Sequence, residues 1–131
     1  MNGQPPAGRR PWRQRDPTLA ASDKLDAFLK MLESGQDGAL LRYSIGLELL
    51  HADRPAEAVA HLRQCLAHDP NYSAAYKALA EAQDAIGAGD DCRATLEAGI
   101  ARAEERGDRQ AGKEMTVFLK RLDKGKPLRG R

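Results

Sequence analysis

The sequence predicts an all-α fold of about six short antiparallel helices stacked as a solenoid. Three observations carry this expectation. Apolar residues recur at helical spacing between proline and glycine breaks. The apolar set is dominated by alanine and leucine, and aromatics make up only 5%, a mix that suits helices packed on small side chains and argues against a sheet. The chain also resembles itself when shifted by 34 residues. With 131 residues, 41% hydrophobic and 31% charged, it has the size of one domain able to bury a core.

Residues 1–21 hold four of the seven prolines and almost nothing apolar, and read as a disordered basic tail. Order is expected from Ser22, an N-cap followed by Asp23 and Asp26. Leu25, Phe28, Leu29 and Leu32 then form one apolar stripe, which Ser34-Gly35 ends. A second helix is predicted over Ala39–Ala52. Pro55 fits the first turn of a third, which runs to His68 and is ended by Pro70. A fourth runs from Ser73 to Ile86, where Gly87-Ala88-Gly89-Asp90 breaks it. A fifth reaches Arg106, and Gly107-Asp108 is a further stop and cap. The sixth carries Ala111, Met115, Phe118, Leu119 and Leu122 on one side. The predicted helical domain spans 22–123, and the basic stretch 124–131 is expected to be disordered, fraying from Gly125. Links this short make sequential helices antiparallel neighbours.

The formal net charge of +2 hides a division. Arg9, Arg10, Arg13 and Arg15 against Asp16 give the first 21 residues +3, and residues 120–131 carry +5. The body between them is −6. An acidic body between basic ends makes the overall charge a poor argument for nucleic-acid binding. Arg9-Arg10 is followed by Pro11 and Trp12 without an apolar stretch, so no signal peptide is expected. No window has the apolar length that spans a bilayer. Two lone cysteines, Cys65 and Cys92, outside any C-x-x-C pair, suggest reduced thiols and a cytoplasmic setting.

The period of 34 has a mechanical meaning. Ile45 falls on Leu79, Gly46 on Ala80, Ala58 on Cys92, Leu62 on Leu96, Cys65 on Gly99 and Leu66 on Ile100. Small residues meet small, and large apolar residues meet large. A glycine inside a helix costs about 1 kcal/mol against alanine, so Gly46 and Gly99 mark crossings too tight for a larger side chain. Shifted backwards, Phe28, Met31 and Leu32 match Leu62, Cys65 and Leu66, so the first helix is the second half of a truncated repeat.

These residues resemble the tetratricopeptide repeat, whose signature is W-x2-L-G-x2-Y, A-x3-F and P. Residues 39–72 carry Arg42-x2-Ile45-Gly46-x2-Leu49, Ala58-x3-Leu62 and Pro70. Residues 73–106 carry Tyr76-x2-Leu79-Ala80-x2-Gln83 and Cys92-x3-Leu96, with Glu104 in place of the proline. Arg42, Gln83, Cys92 and Glu104 depart from the pattern. The chain is similar to short bacterial proteins of this family. The resemblance implies a right-handed superhelix of half a repeat, two full repeats and a closing helix. It also implies a non-catalytic adaptor that binds a protein or peptide in a concave groove. The groove positions it implies are Leu40, Tyr43, Leu47 and Leu50, then Ala74, Lys77, Glu81 and Asp84. The binding residues expected among them are Tyr43, Leu47, Leu50, Lys77, Glu81 and Asp84.

Other chemistry is weakly written. His61, Cys65 and His68 lie at i, i+4 and i+7, a spacing that can hold zinc. Cys65, however, occupies a small packing position, so both cysteines read as core residues. There is no phosphate loop and no nucleophile motif. The pairs Asp90-Asp91 and Glu104-Glu105 point about 100° apart on a helix and make no catalytic dyad. No enzyme activity, cofactor or metal is implied. Two alternatives to the adaptor are nucleic-acid association through the basic ends, with Trp12 stacking on bases, and self-association through the second repeat and last helix.

Overall fold

A computed structural model describes residues 17–129, with side-chain surroundings from Asp23 onward. The arginines and Trp12 of the basic tail lie outside the described residues. Six helices follow in order: α1 (Pro17–Glu33), α2 (Ala39–His51), α3 (Pro55–His68), α4 (Ser73–Ala85), α5 (Gly89–Arg106) and α6 (Arg109–Asp123). Each packs on the next, and α2–α4 and α4–α6 also touch. That pattern is a stack of helical hairpins whose first helices share one face.

Two expectations about the ends are corrected. Helix α1 starts at Pro17, five residues before the predicted cap at Ser22. Proline at the first helical position lacks only an N–H that has no helical partner there, and its φ is already set for a helix. Composition alone had grouped it with the tail. The stretch after α6 does not fray from Gly125, because Leu128 is buried and its backbone N–H is bonded.

The core forms two clusters. The first gathers Leu25, Ile45, Leu49, Leu50, Ala58 and Leu62 with Ala78, Leu79 and Ala82 of α4. The second gathers Tyr76 and Ala80 of α4 with Cys92, Leu96, Ala103, Ala111, Met115 and Leu128. Seven of the thirteen residues of α4 are buried, so this helix is the shared wall between the clusters.

The repeat positions behave as their spacing requires. Ala58, Leu62, Cys65, Cys92 and Leu96 are fully enclosed. A Cβ built on Gly46 would stand 2.5 Å from Cδ2 of Leu62. One on Gly99 would stand 2.9 Å from Cβ of Tyr76 and collide with the Met115 sulfur. Both glycines therefore sit at helix crossings with no room for a methyl group. Met31 is the exception: it matches Cys65 in sequence yet is exposed, since among the described residues no helix packs on the outer face of α1.

The departures from the repeat pattern have local reasons. Gln83 is buried and accepts a 2.6 Å hydrogen bond from the Thr95 hydroxyl. Arg42 lies along α3, bidentate to Asp37 at 2.8 and 2.9 Å and 3.1 Å from Nδ1 of His61. Glu104 replaces the junction proline because the stop is made at Gly107, which takes the left-handed conformation at φ 71. Asp108 then caps α6 by accepting the Ala111 N–H and is tied to Ser73.

Candidate functional site on the shared helix face

The expected binding residues come from α2 and α4, the first helices of the two repeats. The i, i+4, i+7 spacing of Tyr43, Leu47 and Leu50, and of Lys77, Glu81 and Asp84, puts each trio on one helical stripe. The structure brings most of them together. Tyr43, Leu47, Ala74, Lys77 and Glu81 line one recess of about 190 Å³. Leu47, Leu50, His51 and Glu81 line the adjoining one, of about 270 Å³. Leu50 shows only an edge, since it is 4% exposed and belongs to the first core cluster. Leu40 is 68% exposed and lines neither recess.

The face also has members that the reading of the sequence did not place there. Phe118 of α6 closes the first recess opposite Tyr43 and Leu47. Glu114 of α6 pairs with Lys77 and accepts a 2.7 Å bond from Gln110. Arg129 lines the second recess beside Glu81. Asp84 accepts a 3.1 Å hydrogen bond from the Leu128 N–H. The signal for Phe118 was present: a stripe from Ala111 to Leu122 is too wide for a cap that covers one neighbour. Leu128, one apolar residue in a basic stretch, carried the signal for the rest.

Electrostatics follow burial. Partial burial pushes the Tyr43 phenol above its ordinary range, opposed by the nearby Lys77 charge. The Tyr43 ring leans on Tyr72, with centroids 5.0 Å apart. Burial also raises Glu81, while the charges of Arg129, Lys77 and His51 pull it back down. Glu114 is lowered by its hydrogen bonds to Lys77 and Gln110. The face therefore offers an aromatic and aliphatic floor at one end and carboxylates at the other.

The histidine–cysteine stripe is engaged otherwise. Cys65 is fully enclosed, and burial pushes its thiol up to about 11. Burial does the same to Cys92. Arginine only donates hydrogen bonds, so Nδ1 of His61 must accept from Arg42, and the ring is neutral. His68 instead meets Asp37 at 2.9 Å. Among the described residues no cluster of three histidine, cysteine or acidic side chains is placed to hold a metal.

A tetratricopeptide-repeat family model matches residues 49–113. A TPR repeat-containing protein of Pseudomonas aeruginosa is 43% identical over 102 residues, which are 78% of this chain and 97% of that one. This chain is a tetratricopeptide-repeat protein. The solution structure of a Bordetella parapertussis protein superposes with a TM-score of 0.67 at 36% identity, covering 86% of this chain and 91% of that one. The six helices are thus a short tetratricopeptide-repeat superhelix. Repeats of this family generally mediate protein–protein contacts and are generally non-catalytic scaffolds. No helix among the described residues is long and apolar enough to cross a membrane.

Proposed function

We propose that this tetratricopeptide-repeat chain is a non-catalytic cytoplasmic adaptor that grips a peptide or protein segment on the α2–α4–α6 face. The observation that supports it is the first recess, where Tyr43, Leu47, Lys77, Glu81 and Phe118 from three helices meet. An aromatic and aliphatic floor with charges at its edge is the arrangement peptide grooves use, apolar anchors supplying affinity and polar groups register. The test is affinity capture with cross-linking from the source cell, comparing the wild type with a folded Tyr43→Ala, Lys77→Glu double variant. A partner cross-linked to α2 or α4 and lost in the variant is the expected result. Unchanged capture would remove the face from consideration.

One observation favours a second reading, self-association. A recess of about 760 Å³ lies along α5 and α6, floored by Ile100, Ala103, Gly112 and Thr116. Val117, on its wall, is 54% exposed. Arg109, Lys113 and Lys120 line it together with Glu104 and Asp108, so a second copy would meet an apolar strip flanked by charges of both signs.

A further inference from the structure

The segment after α6 runs across the α2–α4–α6 face. Gly125 takes a positive φ of 71, so the chain reverses at the end of α6. The Lys126 N–H returns to the Arg121 carbonyl at 2.9 Å. Arg121 then donates twice to the Pro127 carbonyl, at 3.0 and 2.8 Å. These bonds aim the next two residues at α4. The Leu128 N–H reaches the Asp84 carboxylate, 44 residues away in sequence, and its side chain is 3% exposed in the second cluster. Arg129 arrives over Glu81, beside Leu47 and His51.

The contacts of Leu128 and Arg129 are of a kind a separate peptide can make: a main-chain N–H to a carboxylate, an aliphatic side chain in a slot, a cation beside a half-buried acid. None needs the covalent link to α6. The link only raises the local concentration of the segment, to about the millimolar range for a short tether. Glu81 and Asp84 also share one helical stripe with Lys77, the stripe proposed above as part of the peptide-binding face.

We propose that residues 125–129 are a tethered stand-in for the partner at the Glu81–Asp84 end of the face. The segment that displaces them is an extended peptide with a leucine-sized side chain followed by arginine. This rests on the reading of the face as a peptide-binding surface and specifies what its carboxylate end accepts. A face whose competent state is a minor fraction binds an added peptide more weakly by that fraction. Loosening the strap therefore tightens binding in trans.

The probe is fluorescein-labelled Gly-Lys-Pro-Leu-Arg-amide, followed by anisotropy against the full chain. L128S removes the anchor. R129E changes an exposed residue only, setting a carboxylate beside Glu81, and so serves where L128S fails to fold. The expected result is probe binding at least about tenfold tighter to R129E, and to folded L128S, than to wild type. A control probe with Ser-Glu in place of Leu-Arg is expected to show no such gain. Equal affinity of wild type and R129E for the probe, or absence of binding to both, would overturn the proposal and leave the segment as a cap on the second cluster. If that happened while the Tyr43→Ala, Lys77→Glu variant still lost its cross-linked partner, the strap idea alone would fail.

Discussion

Gly99 shows how tightly one residue can be specified. It faces Tyr76, whose ring is pinned by a 2.8 Å hydrogen bond from its hydroxyl to the Pro70 carbonyl, and the enclosed Met115. Tyr76 cannot retreat, because the atom in conflict is its own Cβ. Overpacking costs about 1–3 kcal/mol, against a gain of about 1 kcal/mol from replacing a helical glycine. Gly99→Ala is therefore expected to lose up to about 2 kcal/mol. Gly112 is the internal control, since a Cβ there would stand 3.8 Å from Cβ of Ala103, an ordinary contact. Gly112→Ala is expected to gain up to about 1 kcal/mol. Urea midpoints at unchanged m-value measure both. Equal signs for the two would mean that Gly99 is not a crossing residue. Such a glycine is legible in a sequence because its helical cost must be offset somewhere. Gln83 was legible only as a misfit. Its partner Thr95 sits on the next helix, and that pairing depends on how α4 and α5 approach, which no local spacing encodes.

At the scale of elements, the α2–α3 corner sets a pH response. The Arg42 hydrogen bond is the largest influence holding the Asp37 carboxyl far below its usual range, with His68 adding to it. His61 is lowered by burial first and by the Arg42 charge next. Both shifts mean that the unfolded chain binds more protons than the folded one, so stability rises with pH. For His61 the contribution is complete above the ordinary histidine value of 6.5 and is lost as pH falls below it. For Asp37 it is complete above the ordinary carboxylate value and is lost only in stronger acid. Urea midpoints against pH are thus expected to fall in two stages, and His61→Gln is expected to remove the first and keep the second. A wild-type midpoint flat between pH 7 and 5 would contradict the neutral His61. The elements themselves were mostly readable, since Pro55, Pro70 and Gly107 act through local backbone geometry. The strap was not. Its order comes from one leucine and one N–H reaching a helix 44 residues away, while its composition resembles that of a solvated tail.

Over the described residues the molecule is a stack with two clusters joined through α4, its first and last described helices packed differently. At one end α1 leaves Met31 exposed, and at the other α6 leaves the recess that Val117 walls. If that recess pairs copies, light-scattering mass is expected to climb from 14.3 kDa towards twice that value with concentration. Val117→Glu would then hold it at the lower value. A mass constant at 14.3 kDa would remove the self-association reading and leave the α2–α4–α6 face as the remaining surface. The same recess bears on how chains of this kind change through time. Each unit touches little beyond its neighbours, so such an array lengthens by copying. A tandem duplication of residues 73–106 would set a copy of α4 where α6 now packs on α5, and would carry α6 and its recess outward by one repeat. The chain would lengthen in whole steps of one repeat, each adding one more helix to the shared face, while the contacts of α6 and the segment after it with Gly99, Lys77 and Asp84 would re-form on the new copy.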